Sequence, residues 1–485
     1  MLFSSIFFLY IFLPASILLV VLGGKRLRNI LLLFFSLIFL AWGGVSNALI
    51  LPASIIVNYF AGMLISRSIG SRKARIFLFA GILFNIGLLI GFKYLNFFAD
   101  SINTIFYSSA KDGIHLKRMM IPLAISYYTF HCISYLIDIY RENITVQKNI
   151  IRFSLYVSFF PKLIAGPIVR YNNMAEQLSS KKLSLFKFAA GAERFVIGLG
   201  KKVLLANTFA LLADKMFAMP IAEHSLVTAW AGIISYTLQI YFDFSAYSDM
   251  AIGLGKIFGF DFPENFNFPY IAKSIQEFWQ RWHISLSSWL RDYIFAPLSI
   301  KSRNMGKAGI AISLLITFGI CGLWHGPSWT YVLWGLGMGF FLALENVGFS
   351  KVLKKLWSPL RHLYVLIIVI FGWVLFRSDT LEYAKGYFHA MFGFGTGINK
   401  YAVISFYVTR EFHLCLLIAI IGSTRFFPIV REQYSKIMSR LTPKFGGAID
   451  TGVLVLELLG IIFIMVSSTM YLITSAYNPF IYFRF

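Results

Sequence analysis

Long apolar runs separated by short polar connections dominate this chain. Runs at residues 2–22, 30–44, 50–65, 76–92, 121–140, 189–212, 227–254, 308–324, 328–344, 363–376 and 453–473 stand out, and a weaker one begins near His413. Crossing a bilayer takes about 20 largely apolar residues in a helix, so each run is a candidate membrane span. Several fall short of that length, which predicts tilted, broken or re-entrant helices packed inside protein or around a wet cavity. The first run is longer than a signal-peptide core and has no basic region before it, so it reads as an uncleaved span. The pattern predicts an all-α polytopic membrane protein, one domain over residues 1–485, with about 11–13 membrane segments. It contains no evident linker, low-complexity stretch or internal repeat, and the missing repeat weighs against a secondary transporter.

Composition agrees with the pattern. Of 485 residues 58% are hydrophobic, 18% are aromatic and only 13% are charged. The charged share is about half that of a soluble domain. The net charge of +23 is a footprint that nucleic-acid binders also carry. Here, however, the basic residues sit in short runs between apolar segments, the positive-inside bias of membrane proteins, so no nucleic-acid partner is expected. Lys25, Arg26 and Arg28 follow the first run, Arg67, Arg72, Lys73 and Arg75 the third, and Arg141, Lys148 and Arg152 the fifth. This alternation places those loops in the cytoplasm and the N-terminus outside. Cys132, Cys321 and Cys415 are far apart and form no CxxC pair, which excludes a disulfide framework or a structural zinc site.

Four segments carry candidate chemistry. KSIQEFWQRWHISLSSWLRDYIFAPLSIKSR, residues 273–303, repeats Phe278, Trp282, Leu286, Trp289 and Tyr293 at helical spacing, which predicts an amphipathic helix with tryptophans and arginines suited to the membrane interface. Such a helix has no need of His283. CGLWHGPSW, residues 321–329, joins two apolar runs and so places His325 at membrane depth among Gly322, Gly326 and Pro327. An ionisable group there is costly and points to function; the plainer reading is a neutral histidine bonded to a backbone carbonyl. A buried histidine suits acid–base work: it can take a proton from a hydroxyl that attacks a thioester or ester carbonyl, with nearby donors stabilising the oxyanion. YFDFSAYSDMAIGLG, residues 241–255, sets Asp243 and Asp249 in an apolar run, either as structural partners of arginines and backbone or as the lining of a polar tunnel. In FFPKLIAGPIVRY, residues 159–171, Pro161 and Pro167 rule out a continuous helix.

Other chemistries lack their signatures. The sequence has no HExxH zinc motif, no Walker A sequence, since Gly200-Lys201 is followed by Lys202, and no GxSxG elbow. His131 and Asp138 are seven apart, so they do not make an HxxxxD pair. His115, His224, His362, His389 and His413 have no distinctive context and read as structural.

The blocks SYYTFHCISYLIDIYR, FFPKLIAGPIVRY, YFDFSAYSDMAIGLGKIFGFDFPENFNFPY, FWQRWHISLSSWLRDYIFAPL and GLWHGPSW resemble the membrane-bound O-acyltransferase (MBOAT) family. The likeness extends over nearly the whole chain, is strongest over residues 121–344, and is closest to the bacterial branch that contains the alginate O-acetyltransferase membrane subunit. Lys162 departs from the neutral polar residue common at its position. The resemblance implies a ring of tilted helices around a central tunnel. It implies His325 as the catalytic residue and His283 as its companion, with Asp243, Trp324, Arg281, Trp282 and Asp249 along the substrate tunnel. The ending AYNPFIYFRF reads plainly as an aromatic interfacial anchor, but it resembles a C-terminal tyrosine motif of bacterial O-acylation systems, which makes Tyr482 a candidate acyl carrier. By the same resemblance, the donor is a cytoplasmic acyl thioester, either acetyl-CoA or an acyl carrier, with no tightly bound cofactor and no metal. An extracytoplasmic SGNH-type acetyltransferase is the implied partner and an exported polysaccharide the acceptor, across a bacterial inner membrane. D-alanyl transfer to teichoic acid is the alternative within the family. Transport of a precursor, or scaffolding of an external enzyme, are the alternatives outside it.

Overall fold

The computed structural model describes residues 1–44, 49–107, 113–117, 119–179, 184–395, 397, 401–439, 443–475 and 477–481. Among the described residues the secondary structure is helical throughout, without strands. Among the described residues, seven helices are long and apolar enough to cross a membrane, or eight if the pair Arg410–Gly422 and Phe426–Met438, bent by 62°, counts as one span. The reason is compositional: lipid offers backbone groups no partners, so each spanning segment must satisfy its own. The protein is therefore a multi-pass membrane protein. Helix Ile449–Thr474 makes the point most directly, since none of its most apolar stretch is buried against the chain; only lipid or another apolar surface can cover it.

The helices gather into two compact units, residues 1–192 with 251–263, and residues 193–250 with 264–485. In the first unit, Phe3, Phe8, Phe12, Phe35, Phe39 and Phe160 pack ring on ring. Asn58 and Asn85 exchange side-chain amide hydrogen bonds of 3.2 and 2.7 Å between helices Ile50–Arg67 and Arg72–Leu89. Small polar pairs of this kind hold membrane helices together where the hydrophobic effect cannot. Arg28 does not lie in a loop: helix Gly24–Ala41 begins four residues before it, and its guanidinium is buried, donating to Phe258 O at 2.9 Å. Pro161 opens a helix of only four residues, Phe160–Leu163. Lys162 is wholly buried there, 3.3 Å from His131 Nε2 and over the Tyr156 ring.

The second unit contains helix Gly306–His325, a three-residue turn, and helix Trp329–Leu344 running back beside it. Glycines set the closeness of this pair. A methyl group on Gly322 would lie 2.2 Å from Tyr331 O, and one on Gly335 2.2 Å from Phe318 O. The backbones touch where side chains would keep them apart, the arrangement small residues give membrane helices.

Candidate active site

The expected amphipathic helix over residues 273–303 is broken at its most informative residue. Helix Ile275–Arg281 stops, Trp282 is extended, and His283 adopts φ +43°, ψ +54° before helix Ile284–Leu290 begins. A left-handed conformation at a residue with a Cβ is uncommon and is retained only where its surroundings enforce it. The stripe Phe278, Trp282, Leu286, Trp289 and Tyr293 is buried, not spread on a membrane surface, because the break lets both helices turn their aromatic faces inward.

Both ends of this elbow are held. At the start, Ser274 caps the first helix by accepting the Glu277 N–H at 3.0 Å. The buried Glu345 carboxylate accepts the N–H groups of Ile275 and Gln276 at 2.7 and 2.9 Å. Those donors have no partner inside the helix, and a carboxylate there also complements the helix dipole. At the elbow, Asn265 Oδ1 accepts the Ser285 N–H at 3.2 Å and the Ser285 hydroxyl at 2.9 Å, and lies 3.1 Å from His283 Nδ1. Two donors from Ser285 fix that atom as the amide oxygen, so His283 carries its proton on Nδ1 and Nε2 is its basic nitrogen. Asn265 in turn donates from Nδ2 to Ser248 Oγ at 3.0 Å.

His325 is the last residue of helix Gly306–His325, directly before Gly326. A methyl group on Gly326 would meet the Tyr331 ring at 2.3 Å, so the turn closes over His325 only because glycine stands there. The imidazole is buried edge-on among Trp324, Trp334 and Phe376, with ring centroids 4.8, 5.2 and 5.1 Å away. It faces a slot lined by Ile240, Phe244, Trp282, Trp334, Trp373, Phe376 and Ile481. The Trp334 indole N–H, buried in this lining, has no hydrogen-bond partner among the described residues. His283 is near but does not line the slot: Phe244, which does, stands edge-on to it at 4.6 Å, and Trp324 contacts both histidines, 6.3 Å from His283 and 4.8 Å from His325.

Of the other residues expected along a tunnel, Trp282 lines the slot and Trp324 packs beside it. Asp243, next to Phe244, forms a buried ion pair with Lys202 at 2.7 Å and accepts the Ile481 N–H at 2.9 Å. Arg281 and Asp249 do not line the slot. Arg281 pairs with Glu277 at 2.8 Å and donates to Asn267 O. Asp249 is held between Arg194 and Lys201 at 2.8 and 2.7 Å, with Glu264 on the far side of Arg194. Both are held in ion pairs away from the slot lining. Tyr482 lies outside the described residues; its neighbour Ile481 is buried in the slot wall beside His325. Asn265, Glu345 and Lys202 escape the sequence reading. Asn265 falls within the block ending ENFNFPY, where it has no periodicity to mark it. Lys202 meets Asp243 only through the tertiary fold, which no sequence spacing records.

His325 thus sits buried at the end of a glycine-tight helix pair, walled by aromatics. Comparison with known proteins is specific: the membrane-bound O-acyltransferase family profile matches residues 141–377, and this chain belongs to that family. Among characterised sequences it is similar to a probable alginate O-acetylase of Pseudomonas aeruginosa, 40% identical over 433 residues, covering 85% of this chain and 82% of the relative. It is also similar to a peptidoglycan O-acetyltransferase of Helicobacter pylori, 34% identical over 429 residues, covering 81% and 80%. A teichoic acid D-alanyltransferase of Bacillus subtilis is more distant, 31% identical over 282 residues, covering 54% and 70%. The chain is thus an O-acyltransferase of the branch that contains the alginate O-acetylases.

Proposed function

We propose that this enzyme passes an acetyl group from a cytoplasmic acyl thioester, through the bacterial inner membrane, for O-acetylation of an exported polysaccharide such as alginate. The observation that carries the reading is His325, buried in an aromatic slot whose wall includes Ile481, the residue before Tyr482. In this account His325 accepts the proton of the Tyr482 hydroxyl as its oxygen attacks the thioester carbonyl. The Trp334 indole N–H stabilises the oxyanion. The tetrahedral intermediate collapses with cleavage of the C–S bond, and the imidazolium returns its proton to the leaving thiolate. The products are a tyrosyl ester and a free thiol. His283, oriented by Asn265, acts beside His325 as its companion. A passage reaches the slot from each face, and the N-terminus lies outside.

An extracytoplasmic SGNH-type acetyltransferase then carries the group from Tyr482 to the polymer hydroxyl. Sequence similarity favours acetyl over D-alanyl, since the acetylating relatives cover most of this chain and the D-alanylating one about half. Mass analysis of the cell-surface polymer in strains carrying the wild-type chain or Tyr482→Phe tests the reading. Acetyl esters that vanish with Tyr482→Phe support it. D-alanyl esters, or acetyl esters undiminished by Tyr482→Phe, contradict it.

A further inference from the structure

The segment Tyr477–Ile481 has no regular secondary structure apart from its last residue, yet it is anchored at nearly every position. The Tyr477 hydroxyl donates to Asp214 Oδ2 at 2.6 Å, and Asp214 is itself paired with Arg377 at 2.8 Å. Asn207 Nδ2 donates to Asn478 Oδ1 at 3.2 Å. Lys202 Nζ donates to Pro479 O, and the same amine pairs with Asp243. Phe480 stacks on Tyr247 with centroids 4.7 Å apart. Asp243 Oδ2 accepts the Ile481 N–H at 2.9 Å, and Phe480 and Ile481 are both buried.

These contacts have an order to them. Lys202 and Asp243 are buried to 4% and 1% exposure and neutralise each other. An ion pair so deep recovers its desolvation only when its remaining hydrogen-bonding capacity is also used. Here that capacity goes to the backbone of the segment: the cation takes a carbonyl, the anion takes an N–H, two residues apart. This is how a protein grips a peptide irrespective of its side chains. The grip falls where the segment enters the wall of the His325 slot.

We infer that the Lys202–Asp243 ion pair is a backbone clamp that seats the segment Tyr477–Ile481, with Ile481 held in the wall of the His325 slot. Lys202 and Asp243 are positioning residues, acting through the segment and touching neither donor nor acceptor. This assignment rests on the reading of Tyr482 as the acyl carrier for its catalytic consequence; the clamp itself is testable without it.

The test uses the full chain in membranes with Ile481→Cys as a reporter. The native Cys132, Cys321 and Cys415 are buried and give a low background. Labelling by a water-soluble maleimide is slow when the segment is seated. Replacing both charges together, Lys202→Met with Asp243→Leu, leaves no uncompensated ion to unfold the site. It should speed labelling about tenfold or more, the shift expected for losing charge-assisted hydrogen bonds. Without the reporter, the double variant should lower kcat for acyl transfer by a similar factor and leave KM for the thioester unchanged. A change confined to KM, or unchanged labelling in a folded double variant, overturns the clamp. Faster labelling combined with full transfer by Tyr482→Phe leaves the clamp standing and removes the carrier.

Discussion

At the scale of single residues the candidate site contains two histidines held in different ways. Asn265 accepts from Ser285 twice and thereby dictates the tautomer of His283. Asn265→Asp keeps the oxygen and shape but replaces the Nδ2 donor to Ser248, whereas Asn265→Leu removes the orientation altogether. The Leu variant is expected to lose about tenfold to a hundredfold in kcat with little change in KM, as positioned acid–base partners do; steady-state kinetics with a labelled thioester checks it. An equal loss in KM alone would assign Asn265 to binding. Trp334→Phe keeps the ring and removes the buried indole N–H. Loss of one oxyanion donor costs about a hundredfold in kcat, so this variant should fold normally by size-exclusion chromatography and turn over slowly. Normal turnover would show that the oxyanion has another donor.

At the scale of elements, the elbow around His283 is set from outside. Glu345 accepts the first two N–H groups of helix Ile275–Arg281. Glu345→Ala should therefore destabilise the chain by about 1–3 kcal/mol, the cost of leaving buried donors unpaired, read as a lower detergent-extracted melting temperature. An unchanged melting temperature would contradict this role. Much of the element pattern was legible beforehand. The glycines of CGLWHG and the proline after them marked a close backbone approach and a helix end, and the helix stops at His325, just before Gly326. The prolines of FFPKLIAGP broke their helix as expected. The break at His283 was not legible, because Phe278, Trp282, Leu286 and Trp289 keep helical spacing across it. Periodicity records which faces are buried and is blind to a single left-handed residue. The ion pairs were equally hidden: Lys202 meets Asp243, and Asp243 meets Ile481, only through tertiary contacts across long stretches of chain. The two aspartates of one helix, alike in sequence, are separated by what faces them.

At the scale of the whole molecule, lipid is the solvent for surfaces no soluble protein could leave bare. Leu459 lies near the middle of helix Ile449–Thr474 and is exposed. Leu459→Arg should disfavour insertion by about 2.5–3.5 kcal/mol, seen as a fall in membrane-inserted protein, while Leu459→Phe should be tolerated. Equal yields would place this helix against protein, not lipid. On the function proposed above, the polytopic fold positions His325 for O-acyl transfer. The most direct measurement follows a radiolabelled acetyl thioester in membranes containing the wild-type chain or His325→Ala, with insertion matched between them. The account predicts a loss of about a hundredfold to ten-thousandfold in acyl transfer, the range for removing a general base. Full transfer by His325→Ala would contradict it.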